Sequence, residues 1–134
     1  LKLFGISGNN INDAEEYGIG RLSFFDCHLT EDSKSDKDTL TEIKMENSID
    51  RITGTAKSPR NIERVPFGMK FDFKLNVKVF DGDDKLLDTL YKGLKLLELD
   101  SLGGAGSRGC GKIKFIELKS EGANIDLTNI KPFE

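Results

Sequence analysis

Three observations predict an α+β fold in which antiparallel strands pack against one helix. Residues 71–79 alternate apolar and polar side chains with a period of two, residues 83–100 switch to a helical repeat, and the strand-like runs follow one another instead of alternating with helices. The 134 residues are the size of one domain and too few for two full ones, so a single core is expected over residues 1–134.

In chain order, Leu1-Lys2-Leu3-Phe4-Gly5 reads as the last turn of a helix and its glycine cap. With no initiator Met, the sequence is expected to be the C-terminal portion of a longer chain. From Arg21 to Leu29, Ser23, Phe25, Cys27 and Leu29 fall on one side of the period, and Leu22 and Phe24 make the other side apolar too. That pattern predicts a central strand buried on both faces, with Cys27 as a small core side chain. Thr30 to Leu40 is polar, acidic and aperiodic, which predicts an exposed, mobile loop. Thr41 to Pro66 has β-branched residues on either side of a centre made by Gly54 and Ser58-Pro59-Arg60-Asn61. Two extended arms around a turn are predicted there, projecting because few of the side chains suit a core.

Phe71, Phe73, Leu75, Val77 and Val79 alternate with Lys70, Asp72, Lys74, Asn76 and Lys78, a half-buried strand with one mostly basic face. Asp81-Gly82-Asp83-Asp84 ends it, and Leu86, Leu90, Leu94 and Leu97, with Leu87 and Tyr91 beside them, then form the stripe of the one long helix. Acidic residues stand in its first turn, where the helix dipole favours them. Residues 103–111 are glycine-dense, residues 112–118 are strand-like, and Ile125 and Leu127 mark a short edge strand. Strand, hairpin, strand, helix, glycine loop, strand is the order of a ferredoxin-like α+β sandwich.

The composition, 37% hydrophobic and 32% charged, is that of a soluble globular domain. No run approaches the ~20 apolar residues that cross a bilayer, and no signal-peptide pattern is present, so a cytoplasmic location and no membrane partner are expected. Two cysteines cannot build a disulfide framework, and Cys27, Cys110 and His28 are too few soft ligands for a structural zinc site. The net charge of −3 excludes a uniformly basic protein, but it is a cancellation. Residues 44–78 carry +4 and residues 101–115 carry +3, against −5, −3 and −2 for residues 1–43, 79–100 and 116–134.

The glycine-rich run GGAGSRGCGK matches two phosphate-loop patterns, GxGxxG at Gly104, Gly106 and Gly109, and GxxxxGK from Gly106 to Lys112. Both nucleotide motifs need a strand before the loop and a helix after it; here the order is reversed, and Ile113 stands where a P-loop needs Ser or Thr for magnesium. An ordinary helix-to-strand link needs one capping glycine, whereas this run has five in nine residues. Such a loop can aim backbone N–H groups outward and let another chain approach closely, and Ser107, Arg108 and Lys112 add donors, so a phosphate backbone is the natural ligand.

A second constellation lies in the hairpin. Lys44, Arg51, Lys57, Arg60 and Arg64 are interleaved with Asn47, Ser48, Thr53, Thr55, Ser58 and Asn61, a mixture that suits sugar-phosphate. Glu46, Asp50 and Glu63 sit among them, so a salt-bridged solvent face fits the same pattern. A Ser/His/Asp triad would need His28, which stands in a strand read as buried, and Asp26, Glu42, Glu46 and Glu63 have no diagnostic metal-binding spacing.

From Glu46 to Phe115 the chain resembles the RAMP-type backbone subunit of type III-A CRISPR effectors, the Csm complex. The runs that carry the resemblance are ENSIDRITGTAKSPRNIERVPFGMKFDF and KGLKLLELDSLGGAGSRGCGKIKF, and the opening LKLFG is similar to the family's LFG segment. The resemblance implies a modified ferredoxin-like, RRM-like palm with a protruding thumb hairpin at 47–65 and a glycine-rich loop at 103–111 near the guide RNA. It implies guide CRISPR RNA, target single-stranded RNA, further copies of the subunit and other Csm subunits as partners. Carried over by position, Arg51, Arg60, Arg64 and Arg108 are the leading RNA contacts; the full candidate set adds Lys44, Asn47, Lys57, Gly104, Gly106, Ser107, Gly109 and Lys112. The family cuts target RNA with a divalent metal, Mg2+, using an aspartate in its N-terminal part, and no position here matches that aspartate. The expectation is therefore an RNA-binding subunit with no catalytic residue in these 134 positions. Its rivals are a non-catalytic assembly module binding only neighbouring subunits, and a small-molecule phosphate enzyme, which the reversed order around the glycine loop disfavours.

Overall fold

The leucine repeat forms the helix that its spacing predicts. The computed structural model describes residues 2–6, 18–35, 40–83 and 85–133. In chain order its elements are β1 (Leu22–Phe24), β2 (His28–Leu29), α1 (Glu31–Ser35), β3 (Glu42–Ile49), β4 (Ala56–Arg64), β5 (Phe71–Asp72), β6 (Leu75–Val77), α2 (Leu86–Leu99), β7 (Lys119–Ser120) and β8 (Ala123–Asn124). The chain is thus mixed α/β with antiparallel strands and few helices among the described residues. It divides into two compact units, Leu1–Ser23 with Asn76–Glu134, and Phe24–Leu75.

In the first unit, Leu86, Leu90 and Leu94 of α2 are buried together with Leu127, the four buried apolar residues among those described. The helix begins without a side-chain cap at Lys85. Three residues before its start, Asp83 accepts 2.9 Å from Arg21 Nε and 3.2 Å from the Phe80 N–H, and Lys2 Nζ lies 3.6 Å away. Both Arg21 and Asp83 are buried, and Arg21 stacks 4.5 Å from the Phe80 ring while also donating to Ile19 O. The Arg21 N–H bonds to Leu3 O at 3.0 Å, and Lys78 N–H bonds to Arg21 O at 2.8 Å. A Cβ at Gly20 would press on the Phe4 backbone, so this crossing needs glycine. At the other end of the unit, β7 and β8 pair antiparallel around Glu121 and Gly122, both at positive φ, the geometry of a tight primed turn.

The second unit holds three local structures. β2 and β5 pair antiparallel through His28↔Asp72 and Leu29↔Phe71. α1 is a single turn capped by Thr30, whose Oγ1 accepts from Ser33 N–H, and the buried Ser33 Oγ accepts the Lys70 N–H at 2.8 Å. β3 and β4 form a long antiparallel hairpin. β1 pairs with β6 where the two units join in sequence.

Several expectations are corrected. The single strand over 21–29 is two short pieces, and Phe24, Phe25, Cys27 and His28 are exposed, because the described residues supply no second layer over them. Cys27 is therefore not a core side chain. Residues 71–79 likewise break at 73–74 into β5 and β6, with Phe71 and Val79 exposed. Residues 30–35 make a capped turn rather than part of a loop, a Thr cap followed by Glu31 and Asp32 being the local signal; residues 36–39 of the expected loop lie outside the described residues. Residues 112–118 form no strand, and Leu127 belongs to the core instead of an edge strand. Lys2–Phe4 form a turn and Gly5 has φ +83°, the conformation of a glycine cap.

Two outcomes follow from this core. Leu90→Ala removes the middle of the buried stripe and should lower unfolding free energy by about 2–5 kcal/mol in denaturant titrations. Arg21 above all, then the Phe80 N–H, hold the Asp83 carboxyl below its ordinary 3.8 against the opposing effect of burial. A carboxyl depressed in the folded state contributes stability in full above about pH 4 and loses it as pH falls through its lowered pKa. Asp83→Asn should therefore melt lower at pH 7 and show a shallower further fall between pH 4 and 2; parallel melting curves for variant and wild type would contradict this role.

Candidate nucleic-acid interface

The hairpin is built without a core. From Arg51 to Asn61 every residue is exposed. Its turn is organised by Asp50, whose Oδ1 accepts the N–H groups of Ile52 (2.9 Å) and Thr53 (3.2 Å), while Gly54 N–H bonds to Asp50 O at 2.8 Å. The Thr53 and Ile52 N–H groups, in that order, hold the Asp50 carboxyl below its usual range. The turn is thus at 50–55, which includes the predicted Gly54 but not Ser58-Pro59-Arg60-Asn61, the other part of the predicted centre. Those residues lie within β4, where Ser58 and Pro59 together oppose the single residue Asn47. This is a β-bulge, the place where a ladder tolerates a residue without an N–H, and Ser58 takes φ +56° to make it.

Strand alternation sorts the hairpin into two faces. Glu42↔Arg64, Lys44↔Ile62 and Glu46↔Arg60 share one face, and Ile43↔Glu63 and Met45↔Asn61 share the other. On the charged face Arg64 Nε meets Glu42 Oε1 at 2.5 Å, and Glu46 lies between Lys44 and Arg60, 3.5 Å from each. Arg51 and Lys57 make no ion pair among the described residues. On the opposite face and at the tip the sequence reading missed a row of exposed apolar side chains, Ile43, Met45 (80% exposed), Ile49 and Ile52 (96%). The Ile43–Met45 alternation was their visible signal.

The glycine loop lies in the other unit, following α2. Leu102 N–H bonds to Gly111 O at 2.8 Å and closes it, and Ala105 O accepts from both Arg108 N–H (3.0 Å) and Cys110 N–H (3.3 Å) around a single 3-10 turn, Gly106–Arg108. Gly103, Ala105, Gly109 and Gly111 take positive φ. The N–H groups of Gly104, Gly106 and Ser107 donate to no acceptor among the described residues, and Ser107 and Arg108 are exposed. Backbone donors at the start of a turn flanked by left-handed residues are a geometry that can accept an anion. Lys112 is engaged differently from the rest: its Nζ donates to Leu99 O at 3.0 Å and Asp100 O at 2.6 Å, placing its charge on the carbonyl end of α2.

The twelve candidate residues thus fall into two sets in two units, Lys44, Asn47, Arg51, Lys57, Arg60 and Arg64 on the hairpin and Gly104, Gly106, Ser107, Arg108, Gly109 and Lys112 on the loop. Among the described residues no group of three or more His, Cys, Asp or Glu side chains is placed to hold a metal ion, and no helix is long and apolar enough to cross a membrane.

Residues 2–114 match the family model of the RAMP superfamily. The chain is 42% identical over 126 residues to a Streptococcus thermophilus protein named CRISPR system Cms endoribonuclease Csm3, a match covering 89% of this chain and 54% of that protein. Proteins of the same name are similar to it in Mycobacterium tuberculosis, 42% over 131 residues (83% of this chain, 54% of that one), and Methanocaldococcus jannaschii, 50% over 103 residues (74% and 41%). The chain spans about half the length of the curated relatives it matches.

The loop geometry separates its glycines. A Cβ at Gly111, which has φ +77°, would collide with Leu102 O at the closing hydrogen bond, whereas Gly104 has open space and no positive φ. Gly111→Ala should cost about 1–3 kcal/mol of stability. Gly104→Ala should stay within about 0.5 kcal/mol of wild type by thermal or denaturant unfolding.

Proposed function

Because the chain belongs to the RAMP superfamily, we propose that it is the RNA-holding portion of a backbone subunit in a type III-A CRISPR effector of the Csm kind, acting in RNA-guided antiviral defence in the cytoplasm. The observation that carries the proposal is the hairpin, a long, exposed, cation-bearing ribbon whose outer part enters no core. In this reading residues 47–65 are the thumb of a ferredoxin-like palm, and the thumb meets the guide–target duplex. The arms pair as far back as Glu42, beyond the 47–65 range. Sequence is read by pairing between guide and target, while Arg51, Lys57 and Arg60 meet phosphates and the closed glycine loop offers backbone N–H groups and Arg108 to the guide backbone.

The endoribonuclease activity in the relatives' names is proposed for the whole protein. A divalent cation such as Mg2+ would stabilise charge developing on the scissile phosphate. The described residues do not offer a ligand set for it, so no step is assigned to a residue of this chain. A second reading, an assembly module whose hairpin binds neighbouring subunits only, is favoured by the exposed Ile43, Met45, Ile49 and Ile52. Further copies of the subunit and other Csm subunits are partners in both readings.

Filter binding of single-stranded guide RNA across a salt series tests the first reading against the second. Arg51→Ala, Arg60→Ala and Arg108→Ala should each weaken binding about 3–10-fold at low salt, and each should reduce the steepness of the salt dependence by about 0.7, the value for one phosphate contact on a single strand. Unchanged affinity and slope in all three, with oligomers forming without RNA, would overturn RNA binding in favour of assembly alone.

A further inference from the structure

The hairpin's two charged clusters differ in tightness. Arg64 and Glu42 meet at 2.5 Å, a charge-assisted hydrogen bond that fixes both side chains across the ladder. Glu46 is held otherwise. Its side chain is only 12% exposed, Oε1 faces the 29%-exposed Lys44 and Oε2 faces the 61%-exposed Arg60, each at 3.5 Å. Lys44 is two residues back on the same strand face and keeps the carboxylate against the ribbon, while Arg60 stands directly across the ladder. A single Nη2 contact at that distance is too long for a strong hydrogen bond and leaves most of the guanidinium fork directed elsewhere.

We propose that Glu46 is a resident carboxylate that holds Arg60 on the hairpin in the absence of nucleic acid, and that a backbone phosphate takes Arg60 from it on binding. The inference rests on the RNA-binding reading above and adds a residue that sets its affinity. A phosphate offers a guanidinium two oxygens at hydrogen-bond distance where Glu46 offers one oxygen at 3.5 Å, so the exchange favours phosphate. Lys44 stays behind to compensate the buried end of Glu46, so the carboxylate is not left without a cation. Glu46 thereby lowers affinity for any polyanion that meets Arg60, and so acts against binding held by charge alone.

The test is a double-mutant cycle on Glu46→Gln and Arg60→Ala in the whole subunit, with a single-stranded RNA as probe and filter binding as readout. Glu46→Gln alone should tighten binding about 3-fold at low salt, within the range of one exposed ion pair, and steepen the salt dependence. In the Arg60→Ala background the same change should have no effect. Glu63→Gln supplies the control, since Glu63 sits on the opposite face, bonded to the Thr41 hydroxyl, and carries the same charge. If Glu46→Gln tightens binding equally with and without Arg60, or no more than Glu63→Gln does, the gain is net charge and the proposal is overturned. If Glu46→Gln weakens binding, Glu46 supports Arg60 instead, which also overturns it. No RNA binding by the wild-type subunit would overturn the underlying reading instead.

Discussion

The first unit buries the Arg21 guanidinium, and burying such a cation requires a carboxylate in contact with it. Asp83 is that carboxylate. It satisfies the guanidinium at 2.9 Å, takes the Phe80 N–H as well, and sits three residues before α2 begins. Arg21 leads into β1 and is bonded through its backbone to Leu3 on one side and Lys78 on the other. One ion pair therefore fixes the start of the helix against the N-terminal turn and the β1–β6 pair. The fourteen residues of α2 carry that placement about 21 Å to the other end of the helix. There Lys112 caps the last carbonyls, and the Leu102–Gly111 hydrogen bond closes the glycine loop. The loop whose Gly104, Gly106 and Ser107 N–H groups find no acceptor among the described residues thus follows the end of a helix whose start is held by that salt link.

The hairpin follows different physics. With no apolar face buried from Arg51 to Asn61, its shape depends on local devices: the Asp50 carboxylate on two turn N–H groups, the bulge that absorbs Pro59, and cross-strand ion pairs. Each is individually modest, since exposed pairs contribute about 0–1 kcal/mol. Such a ribbon keeps its register and leaves both faces to a partner. For the proposed approach to a duplex, a surface gains from carrying its order within itself, because nothing else would have to move when the partner arrives.

What the sequence made legible follows from how local the cause was. The helix was readable because leucines spaced by four state their own burial, and Leu86, Leu90 and Leu94 are the buried ones. The glycine loop was readable because five glycines in nine residues have few other uses. That a hairpin exists was readable too, and its Gly54 lies in the turn, but Pro59 was read as turn chemistry as well, whereas the bulge accommodates it and the Asp50 side chain holds the turn. Strand lengths failed at 21–29 and 71–79 because alternation records which side chains suit burial, and it takes a second layer to bury Phe24, Phe25 or Phe71. The charge of Lys112 was read as a phosphate donor because a flexible ammonium gives no hint in sequence that two helix carbonyls will claim it.

This last point changes how the charge distribution is read. Segment totals of +4 and +3 count every cation as available to a polyanion. In the fold Arg64 is closed onto Glu42, Lys44 and Arg60 share Glu46, and Lys112 serves the helix end. Arg51 beside the turn and Lys57 beside the bulge are the hairpin cations that make no ion pair among the described residues. In the proposed RNA-binding role a phosphate backbone would meet those two without displacing a carboxylate, and would compete with Glu46 for Arg60. Arg51 and Lys57 flank the tip, whereas the paired cations lie toward the base. The internal carboxylates Glu42 and Glu46 therefore engage the cations toward the base of the hairpin, and the two that make no ion pair among the described residues stand where its backbone is exposed.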